Sequence, residues 1–255
     1  MNLKLLLATV LLCTAAEAQT LSGRDKWADS ARAEIDAAMP AGDLARIRQA
    51  GAMLERALTV FPDDPLLLHY LGYARYREAN VMQGKQRDEK EYRPLLEAAD
   101  SLLERSATKL ELAETYALRS SVLGQLIGPN PLRGMTLGRR SSNAMDRAVE
   151  LGADNPRVWL LRGIGAMFTP GLFGGGLDKA EAYLTRAISL FPNEKPAPPL
   201  PAWGHAEAYI WLGRLLQRRE RINDARQAYS KALELEPDNG WVKYVLLPGL
   251  DRGKS

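Results

Sequence analysis

Imidazole and thiol chemistry has little to work with in this chain. His69 and His205 are its two histidines and Cys13 its one cysteine. Neither histidine stands in an H-E-x-x-H pair, so a zinc site has no obvious ligand set. No G-x-S-x-G turn presents a nucleophilic serine. Gly174-Gly175-Gly176 precedes a helical stretch and resembles an anion cradle, because amides at a helix start point outward. It continues Leu177-Asp178, however, where a phosphate loop needs Lys followed by Ser or Thr. Asp178 is better read there as a helix cap. The carboxylates are numerous, but none pair at a spacing that sets two across a cleft. The expectation is a protein with no catalytic residues, no metal and no cofactor, one that binds.

The N-terminus bears on compartment. Lys4 leads into the apolar run Leu5 to Cys13, too short to span a bilayer, and Ala16-Glu17-Ala18 follows as a small-x-small exit. This predicts a secretory signal at residues 1–18, cut after Ala18, and hence a periplasmic or secreted product. A lipid on Cys13 is the minority reading, since a lipoprotein signal wants a small residue before the cysteine and Leu12 stands there. Cutting removes the cysteine, so the mature chain would form no disulfide and would rely on packing. Composition is that of an ordinary globular protein, 46% hydrophobic and 25% charged. A formal charge of +3 leaves no polyanion footprint, so nucleic acid is not an expected partner. Beyond the signal, no segment is apolar for long enough to cross a membrane.

A repeating pattern positions what residues there are. From Ala206 to Asn239, Tyr209, Leu212 and Gly213 are followed by Ala225 twelve residues after the glycine, then by Tyr229, Ala232 and Pro237. Small residues where backbones approach, with aromatics between, describe two amphipathic helices in close contact. Asn223 can cap the second and Pro237 stops it. Ala180, Leu184, Ala187 and Pro192 repeat the second-helix spacing of four, three and five, as do Ala50, Leu54, Ala57 and Pro62. Looser copies fall around Ala99, Leu103 and Ser106, and around Ser141, Met145 and Ala148. First helices are marked by Leu68, Leu71 and Gly72, by Tyr116, Ser120 and Leu123, and by Trp159 and Gly163.

This 34-residue unit resembles the tetratricopeptide repeat. The resemblance is strong in the last third and loose between residues 85 and 150. It implies an all-α fold, an α-solenoid of stacked antiparallel helix pairs. About five pairs are expected, over residues 25–63, 65–110, 113–152, 156–193 and 206–239, in one domain from residue 19. A capping helix at 241–247, ended by Pro248, would cover the last apolar face, and an N-terminal helix near 25–39 the other end. Between Gly72 and Ala99 the chain has fifteen residues more than the unit allows, which would lengthen both helices of that pair. Thr169 to Gly176 reads as a loop, and the Pro-rich connector from Pro196 to Trp203 as a surface crossing.

Such arrays bind along the concave face lined by first helices, so the resemblance implies a groove site here. The helical period places His69, Tyr73, Tyr76 and Arg77 along it, then Ser121 and Gln125. Leu160, Ile164, Met167 and Phe168 follow, then Ile210, Arg214, Gln217 and Arg218. Tetratricopeptide domains of eukaryotic co-chaperones grip a C-terminal carboxylate with lysines and asparagines on this face. The matching places carry His69, Ala117, Leu160 and Ile210, and one turn later Tyr73, Ser121, Ile164 and Arg214. None is Lys or Asn, so that clamp is missing. The function expected is a periplasmic scaffold or adaptor holding a protein or peptide in its groove. The alternative is a carrier for an apolar small molecule or lipid, suggested by Ile164, Met167 and Phe168 beside the glycine-rich loop. An unrecognised enzyme is a third and weaker reading. A closed apolar cavity of several hundred Å3 would mark a carrier, and an open groove a scaffold.

Overall fold

Asp or Asn followed by Pro starts three of the helices. Asp64 accepts from the amides of Leu66 and Leu67, Asn130 from Leu132 and Asn155 from Arg157, with Pro65, Pro131 and Pro156 at the first helical position. Each side chain satisfies an amide that the helix leaves orphaned, and proline gives up one it would not use. The computed structural model describes residues 23–252, apart from residue 129. The expected signal segment and Cys13 lie outside the described residues.

The order is α1 (23–38), α2 (Leu44–Val60), α3 (Pro65–Gly84), α4 (Glu89–Ala107), α5 (Ala113–Ile127) and α6 (Pro131–Leu151). After these come α7 (Pro156–Phe168), α8 (Leu177–Leu190), α9 (His205–Arg218), α10 (Ile222–Leu235) and α11 (Leu247–Arg252). No strand occurs among the described residues, and consecutive helices pack as antiparallel pairs. The fold is an α-solenoid.

One close contact repeats in register. A Cβ built on Gly72 would lie 2.8 Å from Leu103 Cγ, one on Gly163 2.8 Å from Leu184 Cγ, and one on Gly213 2.4 Å from Tyr229 Cε1. In the third pair the small residue is Ser120, whose Oγ lies 3.1 Å from Ser141 Oγ. Second helices bury a single stripe, as Ala180, Leu184 and Ala187 do on α8. First helices are covered more fully. Fifteen of the twenty residues of α3 are buried, a degree of cover that a helix lining an open groove would not have.

Three expectations of local structure are corrected. Asn223 does not cap α10, which begins at Ile222 with no side-chain cap, so Asn223 is already inside the helix. Asp178 sits in the first turn of α8, behind Gly176, and pairs with Arg219 instead of capping. The terminal helix does not stop at Pro248. Residues Val242–Leu246 form a π-helical turn, and the chain then runs through Pro248 to Arg252. A π turn shifts the backbone hydrogen-bond pattern, so the amide that proline lacks is not missed there.

The superhelix closes on itself. Gly240 N donates to Pro40 O at 3.0 Å, joining the start of the terminal helix to the end of α1. No helix among the described residues is long and apolar enough to cross a membrane.

Candidate functional site

The inner residues expected to line a groove are in place but covered. His69 is fully buried on α3, and its Nδ1 is hydrogen-bonded to Thr115 Oγ1 at 2.8 Å. Burial holds its pKa down at about 4, against a weaker opposing pull from Glu114. Tyr73 donates from Oη to Asp36 at 3.0 Å and stacks on Trp203, the ring centroids 5.3 Å apart. Arg77 forks onto Glu207 at 2.9 and 2.6 Å and lies over the rings of Tyr73 and Trp203. Tyr76 is buried, with the Arg77 guanidinium 5.6 Å from its ring. Gln125 donates to Asn80 Oδ1 at 2.8 Å.

The cover is the Pro-rich connector, expected on the surface. Tyr70 Oη donates to the Pro199 carbonyl, Pro201 and Trp203 are buried, and Gly204 sits against Leu160 and Phe191. A connector rich in proline needs few partners for its amides, so it can lie on the inner face with its carbonyls served by side chains. Arg157 of α7 supplies the rest. It is buried, donating to Glu114 Oε1 at 3.2 Å and to the Trp203 carbonyl at 3.1 Å, and it pairs with Glu194. This interior is a dense polar network occupied by the connector, in which His69 Nε2, Arg77 Nε, Gln125 Oε1 and Trp203 Nε1 are buried without a hydrogen-bond partner among the described residues.

The remaining candidates lie toward the C-terminal end of the stack, and of these Phe168 and Arg218 are exposed while Arg214 is half-buried. Phe168, ending α7, is 62% exposed and meets Trp211 edge-on at 5.9 Å. Arg214 lies over Trp211 at 4.3 Å and over Trp241 at 5.2 Å. Arg218 is 5.9 Å from the Phe168 ring and donates to Met167 O at 3.0 Å, a good place for a cation at a helix C-terminus. Among the described residues, neither Arg214 nor Arg218 has a carboxylate within 4.0 Å. Burial, with Arg218 beside it, holds the Arg214 pKa below the ordinary arginine value, against an opposing pull from Tyr229. A half-buried cation flanked by indoles and lacking an anion is a place for an anionic group to bind. A few residues beyond Phe168, Leu172 and Phe173 project from the loop, 91% and 76% exposed.

The sequence period puts Phe168, Arg214 and Arg218 on this strip but sets Ile210 where Trp211 belongs. Ile210 is buried, while Trp211 shares the face of Arg214 and Arg218 at spacings of three and four. The same period, begun at 211, finds the strip. Ile164 is half-buried against the core, and Leu160 and Met167 are buried in it. An open depression of about 380 Å3 lies elsewhere, between α2, α3 and α4, with the Arg105–Asp63 pair on its rim.

Comparison with known proteins agrees with this geometry. A family model described as tetratricopeptide repeat matches residues 206–239. No curated protein matches the chain. Among solved structures, the chain is similar to the HusA haemophore from Porphyromonas gingivalis, at 27% identity and a TM-score of 0.61. That match covers 75% of this chain and 92% of the haemophore. It is also similar to a thermophilic TPR protein of Thermus thermophilus, at 22% identity and a TM-score of 0.59. There the match covers 81% of this chain and 91% of the other. Its last full helix pair matches the tetratricopeptide-repeat model and its stack is shaped like these solved structures, so the chain has a tetratricopeptide-like α-solenoid fold.

Proposed function

We propose that this protein is an interaction scaffold, and that it holds an acidic, apolar-flanked segment of a partner protein on the strip formed by Phe168, Trp211, Arg214, Arg218 and Trp241. A tetratricopeptide fold is one that mediates protein–protein contact. The observation that carries the choice of surface is Arg214, half-buried between two indoles with no carboxylate partner among the described residues. Aromatic and arginine side chains dominate contact energy where proteins meet. Leu172 and Phe173 add apolar area at one end. We place this scaffold in the periplasm or outside the cell, on the secretory pattern of residues 1–18.

The test is an array of peptides varied in acidic and aromatic content, probed with the native chain and with Arg214→Gln/Arg218→Gln. The native chain should retain acidic, aromatic-bearing peptides in a salt-sensitive way, and the variant should bind them at least about tenfold more weakly with unchanged helicity. Equal binding by both would remove the strip from the account.

A second reading follows from the likeness to a haemophore. A tetrapyrrole is flat and apolar and carries carboxylates, so the same indoles and arginines suit it as cargo. Titration with haemin separates the two: a saturable Soret shift, lost in the double variant, favours the carrier, and its absence favours the scaffold.

A further inference from the structure

We infer that the inner cleft walled by α3 and α7 is itself a binding site for a proline-rich, tryptophan-bearing peptide, and that residues 194–204 of the chain are its resident occupant. This inference concerns a different surface from the cationic strip and does not rest on it.

The segment lies in the cleft as two non-helical stretches, 194–197 and 201–203, on either side of a turn closed by Leu200 N donating to Ala197 O at 2.9 Å. Residues 194, 196, 199, 201 and 203 are half-buried or buried, while 195, 197, 198, 200 and 202 are exposed. On each side of the turn, alternate side chains therefore enter the protein, the pattern by which extended stretches of peptide are read through pockets. The helices hold the segment through side chains directed at its carbonyls and its two anchor side chains. Tyr70 donates to the Pro199 carbonyl, and Arg157 holds both the Trp203 carbonyl and the Glu194 carboxylate. The Trp203 indole stacks on Tyr73 under the Arg77 guanidinium. Prolines at 196, 198, 199 and 201 have no amide to donate, so detaching the segment strands few backbone groups. Aromatic rings with hydroxyl donors and a guanidinium are the chemistry that recognises proline-rich chain.

With its own segment in place, the cleft is available to another peptide only in the fraction of molecules where the segment has left. Apparent affinity falls by that fraction. Weakening the resident anchor should therefore admit a peptide of the same chemistry.

The experiment uses the full chain and its Trp203→Ala variant, with a fluorescein-labelled peptide of sequence EKPAPPLPAWG read by anisotropy. The variant should bind the peptide at least about tenfold more tightly than the native chain, and neither should bind a peptide whose tryptophan is replaced by alanine. Trp203→Leu, which keeps an apolar side chain in the cleft, is measured alongside. A folded variant that ignores the peptide, or equal binding by native and variant chains, overturns the inference. Loss of helicity in both variants also overturns it, because the segment would then be inseparable core.

Discussion

Arginine serves two purposes in this molecule, and its partners decide which. Arg77 and Arg157 are buried, and each is held by carboxylates, Glu207 for one and Glu114 with Glu194 for the other. Charges withdrawn from water need such pairing. Arg214 has indoles where those two have carboxylates, which is why it reads as a contact residue. His69 belongs with the buried set and gives this scale its prediction. Its folded pKa is about 4, against 6.5 in an unfolded chain, so the unfolded state takes up the proton first as pH falls. The stability tied to a neutral His69 is full above about pH 6.5 and is lost progressively toward pH 4, by up to about 3 kcal/mol. His69→Asn keeps a partner for Thr115 and cannot take up that proton. Between pH 7 and pH 5 the native melting temperature should fall further than that of the variant, and equal falls would contradict the burial described.

At the scale of elements, the recurring unit is a small first-helix residue beneath a large second-helix one. Gly213→Ala would drive a methyl group to 2.4 Å from the wholly buried Tyr229. The expected loss is roughly 1–3 kcal/mol, seen as a lower melting temperature. Gly165→Ala is the control, since nothing lies within 4 Å of that position and alanine favours a helix. If both variants melt alike, the Gly213–Tyr229 contact is not tight. This unit was legible in the sequence because each half repeats with the helix period: Gly72, Gly163 and Gly213 mark first helices, and Leu103, Leu184 and Tyr229 mark the second helices they pack against. Trp211 shows the limit of that reading. Period gives the set of faces, but the choice between the faces of Ile210 and Trp211 is made by neighbours on α7 and the terminal helix. The connector was misplaced for the same reason. Proline told truly that residues 196–203 are not helical, yet Tyr70 and Arg157, both distant from it in the chain, decide that it lies inward.

The molecule as a whole is a solenoid whose ends meet and whose inner face is filled by its own chain. Asp36 of α1 reaches Tyr73 of α3, Arg77 of α3 reaches Glu207 of α9, and Gly240 meets Pro40. Under the proposed function, partners use the outer strip or displace the resident segment. Hydroxyl-radical footprinting tests this division most directly, since it reads side-chain exposure residue by residue in solution. Tyr70, Tyr73, Tyr76 and Trp203 should be protected, while Phe168, Phe173, Trp241 and Tyr244 are modified readily. Modification of Tyr73 and Trp203 as fast as Tyr244 would mean an open groove, and would contradict the account.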